Sequence, residues 1–196
     1  MWTGFAFEPD SDASCDLYLT HLKENVCQGY EEQYEYLLNW MADAVQNPCS
    51  KPGVAVVLRS DEKGTGKNVA IEYFGKLFGE HYLYVTQSEH LVGKFNSHLQ
   101  RTSVLFADEA FWAGTKNEEG VLKGLITSPT HMIEPKHQVA YQTTNYIHLM
   151  IASNNSWAVP SSVGERRFFV LEVGRKHVRD HKYFAAIEQE PDFSVA

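Results

Sequence analysis

Ser60–Asn68, SDEKGTGKN, lies between the apolar run Val54–Leu58, VAVVL, and the stretch NVAIEYFGKLFG. A short, β-branched apolar run reads as a buried strand. The stretch from Asn68 reads as a helix closed by Gly79. The segment between them is therefore a strand-to-helix turn. Gly64 and Gly66 allow backbone N–H groups to converge there, the following helix N-terminus favours an anion, and Lys67 is placed to reach it. The pattern predicts a phosphate-binding loop made of Asp61, Glu62, Lys63, Gly64, Thr65, Gly66, Lys67 and Asn68. Two positions depart from the usual form. Asp61 replaces the first glycine, and aspartate tolerates the left-handed region better than most residues. Asn68 replaces a hydroxyl residue, and its amide oxygen can still ligate a hard cation. The departures therefore weigh on metal affinity more than on the phosphate cradle.

Outward from this loop, strands and helices alternate. HYLYVT, SVLFAD, IHLMIASN and RRFFVLEV read as further strands, and NEEGVLKGLIT as a helix. SEHLVGKFNSHLQ reads as one helix with Ser88 as N-cap, and HMIEPKHQVAYQTTN has the composition of a hairpin. Upstream, Ser14–Val26 and Tyr30–Pro48 are helical, and Pro9, Asp10, Ser11 and Asp12 mark a turn. Alternation of this kind predicts an α/β core with a central, mostly parallel five-stranded sheet flanked by helices and preceded by a small helical segment. The expected division is 1–50 for the N-terminal irregular and helical segment, 51–187 for the core and 188–196 for a tail, with little length left for a C-terminal helical lid.

Three further features gather around the loop. Asp108 and Glu109 end the apolar strand SVLFAD, where open α/β sheets bind ligands. There Asp108 suits magnesium, with Asn68 as a second candidate ligand, and Glu109 suits a general base. Asn154 and Asn155 end another strand, where an amide can orient water or sense a phosphate. Arg166 and Arg167 open the last strand; an arginine there reaches a neighbouring subunit's phosphates more easily than its own, unless it pairs with Glu165 or Glu172. Lys136 and His137 sit at the expected hairpin tip and, with Lys123 and His131, form a basic grouping suited to nucleic acid. His177 and His181 are spaced for a metal, but RKHVRDHK reads better as a solvated helix face.

The bulk numbers restrict the class. Hydrophobic residues make up 43% of 196 residues and charged residues 21%, a globular composition. The formal charge of −8 means that any nucleic-acid contact rests on a local basic patch. Cys15, Cys27 and Cys49 have no close spacing, which fits reduced thiols. No apolar run approaches membrane-spanning length, and no leader pattern is present. The expected setting is cytoplasmic, in a bacterial host if the chain is viral or plasmid-borne. The opening MWTGFAFEPD reads as the interior of a longer chain.

In order and spacing, GTGKN, FNSHL, VLFADEAFWAG, LKGLIT, IEPKHQ, IASNNSWAVP and ERRFFVLEV resemble the superfamily 3 helicase domain of phage and plasmid primase-helicases, related to the poxvirus-type proteins. YEYLLNWMADAVQNP is similar to that family too, and the resemblance spans residues 15–187. It implies an AAA+-like P-loop core that binds ATP and Mg²⁺. It also implies an ATPase that assembles as a ring, usually a hexamer, and translocates on single-stranded DNA in replication. A primase or polymerase domain in cis often accompanies such a core. On that resemblance Lys67 contacts phosphate, Asp108 holds magnesium, Glu109 is the base, Asn154 the sensor, and Arg166 or Arg167 the arginine acting in trans. Lys136, with His137, is the DNA-contacting tip, and Lys123 lies in the motif before it. The alternative is a nucleotide-regulated DNA-binding or scaffold module with weak or no hydrolysis, favoured by Asn68 and the net charge. A small-molecule kinase is a third reading, disfavoured by GERRF and IEPKHQ.

Overall fold

The computed structural model describes residues 2–8, 10, 13–109, 116–155 and 165–190. The turn expected at 9–12 falls outside them except for Asp10, as do residues 110–114 and 156–160 of the motif stretches.

Five strands form one sheet: β1 (Ala55–Arg59), β2 (Tyr82–Val85), β3 (Val104–Asp108), β6 (His148–Ser153) and β7 (Phe168–Glu172), in the order β2-β3-β6-β1-β7. Every neighbouring pair runs parallel. The remaining strands, β4 (Thr130–Ile133) and β5 (Tyr141–Thr144), form a separate antiparallel hairpin. The expected mixed α/β architecture with a mostly parallel sheet is thus present.

Strand side chains alternate between two cores, as the pleat requires. Val56, Leu58, Val104, Phe106, Met150 and Ala152 pack on one face with the N-terminal helices and α3 (Lys67–Lys76). Ala55, Val57, Leu105, Ala107, Leu149 and Ile151 pack on the other, against α4 (Ser88–Val92), α5 (Lys116–Thr127) and the hairpin. Burial on both faces explains why these strands read as continuous apolar runs.

Register sets the functional edge. Leu58 and Asp108 are both paired with Ala152, from opposite sides of β6. The loop after β1, the acidic pair after β3 and Asn154 after β6 therefore leave the sheet at one level. The chain from β1 crosses to β2 at the far edge, whereas β7 lies on β1's other side. That reversal opens a crevice at the strand ends.

Three helix expectations need correction. The Ser88–Gln100 stretch is broken: α4 ends at Val92, Gly93 is extended, and a 3₁₀ turn resumes at Ser97–Arg101. Gln87, not Ser88, occupies the N-cap position, and it makes no side-chain capping bond. The helix after the loop stops at Lys76, and Gly79 opens a 3₁₀ turn, Gly79–His81, instead of closing the helix. The basic run RKHVRDHK is not a single helix: 175–180 is a turn, and α6 (His181–Glu188) begins after it, with Asp180 Oδ1 accepting the Tyr183 N–H at 3.1 Å. Upstream, α1 (Asp16–Thr20) runs straight into a π-helical segment, His21–Val26, and α2 spans Glu31–Gln46.

Candidate functional site

Gly66, with φ of +90°, turns the loop into α3, and Gly64 has φ of +76°. Asp61 does not use the left-handed region; among the described residues the non-glycines that do are Gln28, Glu109, His137 and Arg179. Thr65, Gly66 and Lys67 are buried. The loop is held from behind by the π-helical segment, whose wide turn aims two polar side chains at it. Asn25 Nδ2 donates to Thr65 O at 2.7 Å, and His21 Nε2 lies 3.1 Å from Gly66 O. Burial pushes the His21 imidazole down to about 4, despite the opposing bond to Gly66. π-Helical distortions recur where a backbone must be aimed.

In front of the loop lies a cavity of about 440 Å³, lined by Lys63–Val69, Asp108, Glu109, Asn154, Arg179, His181 and Phe184. Lys67 is only 5% exposed. Its Nζ donates to Ser60 Oγ at 2.5 Å and to Asn154 Oδ1 at 2.8 Å. Burial lowers its ammonium from the ordinary lysine value, partly offset by Glu109 and Asp108. Asn154 also donates from its side-chain amide, and from its backbone at 2.9 Å, to Glu109 Oε1. Glu109 sits at φ of +49°, a strained setting for a non-glycine residue, and its N–H is anchored on Ala152 O at 3.0 Å. Asp108 Oδ2 accepts from Asn68 Nδ2 at 2.6 Å and from Tyr84 Oη at 2.7 Å. Burial, then the Asp108 contact, pushes the Tyr84 hydroxyl up to about 12.

Five predicted residues thus meet at the cavity in two hydrogen-bonded sets, Lys67–Asn154–Glu109 and Asn68–Asp108, with Lys63, Gly64, Thr65 and Gly66 beside them. Asp61 and Glu62 are turned away and line a separate polar recess with Gln28, Glu172 and Arg175; the Glu62 carboxylate pairs with Arg175. Arg166 and Arg167 line no part of the cavity. Arg167 pairs with Glu165 at 3.0 Å, and Lys123 pairs with Glu119 at 2.5 Å and with Glu165 at 3.4 Å. Burial raises the Glu165 carboxyl, but bonds from Arg167 and Lys123 bring it below its ordinary value. The predicted basic grouping is therefore divided. Lys123 is tied to acids and His131 is half-buried, whereas Lys136 and His137 stand exposed at the hairpin tip.

Sequence reasoning missed Ser60, Tyr84, His21, Asn25, Arg179 and Phe184. The only signal for His21 and Asn25 is two polar residues one turn apart in an otherwise core-facing segment. Tyr84 reads as an ordinary strand residue until β2 is placed beside β3.

A family model for a family of unknown function, DUF5906, matches residues 58–167, more than half of the chain. The chain belongs to that family. A DNA primase-polymerase of Nitratiruptor phage NrS-1 is 28% identical over 138 residues, covering 69% of this chain and 19% of that protein, so the chain spans less than a fifth of that relative. The apo structure of the NrS-1 C-terminal region aligns with a TM-score of 0.78 at 22% identity, over 94% of this chain and 45% of that one. A JCV helicase structure aligns with a TM-score of 0.55 at 14% identity, over 93% and 53%. Both structural likenesses speak for the fold alone.

These matches correct the expectation of a superfamily 3 helicase domain, and with it that of an ATP-hydrolysing enzyme translocating on DNA. The curated relative is named a primase-polymerase, and the structural match is to the C-terminal region of the NrS-1 protein. Among the described residues no group of three or more His, Cys, Asp or Glu is arranged to hold a metal ion. The physical reason is plain. A glycine loop, strand-end acids and a strand-end amide define the shape of a crevice in an α/β sheet. One such shape serves many activities, so the motifs do not carry hydrolysis or translocation. The likeness to a phage protein remains; the motor does not.

Proposed function

We propose that the chain is a nucleotide-binding module of a phage replication protein, in which a bound nucleotide regulates DNA contact or domain assembly with weak or no hydrolysis. The observation that carries this reading is the buried ammonium of Lys67. Among the described residues its hydrogen-bond partners are neutral oxygens, and it stands at a cavity in front of a helix N-terminus. A buried cation bonded to neutral oxygens is costly, and the Glu109 and Asp108 charges offset that burial only in part. The phosphates of ATP would neutralise it while the α3 N-terminus accepts their remaining charge. On this reading the core is a P-loop, AAA+-like sheet, and its strand order suits that assignment.

Asp108 and Asn68 fit a magnesium ion. Mg²⁺ keeps several waters and takes one or two protein ligands beside the phosphates. Bound there, it would neutralise phosphate charge. Asn68, however, spends its amide N–H on Asp108. An amide that pins the carboxylate holds it more weakly open to a metal than a hydroxyl would, which favours binding over turnover. Single-stranded DNA is assigned to the exposed hairpin tip, Lys136 and His137. Arg166, exposed and away from its own cavity, is assigned to contact with a second copy of the chain or with a polymerase domain in cis.

The test is titration of ATP with magnesium into the wild-type chain and Lys67→Ala. Loss of one charge-assisted contact should weaken binding by roughly 10- to 100-fold, with an unchanged circular dichroism spectrum. Equal affinity in both proteins would refute the assignment.

A further inference from the structure

The cavity has more wall than phosphates need. Its far side comes from the segment after β7, which the motif reading did not use. Arg179, at φ of +58°, donates its backbone N–H to Gly64 O at 2.8 Å. Five residues on, the Phe184 ring abuts Gly66 so closely that a Cβ there would lie 2.5 Å from Cε1. The turn and the first part of α6 are therefore clasped onto the loop at both of its glycines. Asp180 caps α6 and fixes the ring's approach. The neighbouring rings meet Phe184 steeply, His21 at 88° and Tyr183 at 69°, so neither stacks on it. Val69, on α3, lines the same cavity.

We propose that Phe184 and Val69 form the nucleobase subsite of this cavity, with Phe184 as the stacking surface and the ligand a nucleoside triphosphate. The inference rests on the nucleotide-binding reading above and adds to it the group that distinguishes a nucleotide from a bare polyphosphate. About 440 Å³ is a volume that suits a cofactor-sized ligand. An aromatic face contributes affinity for a base without regard to its hydrogen-bonding edge. The subsite therefore predicts affinity for a base with little discrimination among bases.

Calorimetric titration separates the two claims. ATP and inorganic tripolyphosphate, each with magnesium, are titrated into the wild type, Lys67→Ala, Phe184→Leu and Phe184→Tyr. The leucine keeps apolar volume against Gly66 and removes the aromatic face. Support is a wild type that prefers ATP, with Phe184→Leu losing about tenfold for ATP, unchanged tripolyphosphate binding, and recovery in Phe184→Tyr. Three results overturn the subsite while leaving the phosphate reading intact: ATP and tripolyphosphate bound equally by the wild type, ATP binding unmoved in Phe184→Leu, or both ligands weakened alike in Phe184→Leu with Lys67 still required. Absence of ATP binding by the folded wild type, or binding indifferent to Lys67, removes the phosphate reading and the subsite with it.

Discussion

Gly66 is crowded on two sides. A Cβ there would lie 2.5 Å from the Phe184 ring and 2.6 Å from the His21 ring, and its φ of +90° disfavours any L side chain. Both costs act in the folded state, and the His21 ring is fully buried. Gly66→Ala is expected to destabilise the fold by about 2 kcal/mol or more, read as a lowered urea midpoint with an unchanged m-value. Gly29, whose added Cβ would meet nothing within 4 Å, is the control; alanine there should cost only the strain of its positive φ. The same residue scale shows what a sequence reveals of a site. Lys67, Asp108 and Glu109 are legible because they follow apolar strands and a glycine turn, signals carried in adjacent residues. Asn25 and Tyr84 are not, because their roles arise from chain segments that meet only after folding. Lys123 looks basic in the sequence and is neutralised by Glu119 and Glu165, the latter distant along the chain.

At the scale of elements, the strands are the legible part. The central strands β1, β3 and β6 are apolar runs buried on both faces, which leaves little ambiguity. Helix limits are harder to read. Gly93 breaks a periodic stretch into α4 and a 3₁₀ turn, and the basic run before α6 is a turn because Asp180 caps the helix after it. The hairpin is an element that projects without a dense core of its own: Met132 is 53% and Val139 88% exposed. With Lys136 at its tip, the hairpin should bind single-stranded DNA through phosphate contacts. Lys136→Ala is expected to weaken binding to all sequences similarly, and to reduce the slope of log affinity against log salt by about 0.7. Fluorescence anisotropy with two unrelated oligonucleotides over a salt series measures both. An unchanged slope would place the DNA contact elsewhere.

For the whole molecule, acid stability follows from burying histidine. His21 is fully buried and held near 4, against 6.5 for an ordinary imidazole. Its folded value is the lower one, so the unfolded chain binds the proton more readily between those limits. The stability it contributes is complete above about 6.5 and is lost as pH falls toward 4. The full displacement corresponds to about 3 kcal/mol. His131 and His148, also lowered by burial, act in the same direction. In urea unfolding at a series of pH values, His21→Gln should show a shallower fall between pH 6.5 and 4 than the wild type. Parallel curves would mean that the His21 proton is bound equally in both states.

The glycine loop is fastened at both ends of the described chain: to Asn25 and His21 through Thr65 and Gly66, and to Arg179 through Gly64. Segments separated by most of the sequence thus share a single attachment point. Fraying of α6, or a local opening of the π-helical turn, slackens the backbone that receives the ligand. Amide hydrogens near residue 25 and near residue 180 should therefore exchange more slowly together when the cavity fills, as one cooperative unit rather than as two independent termini.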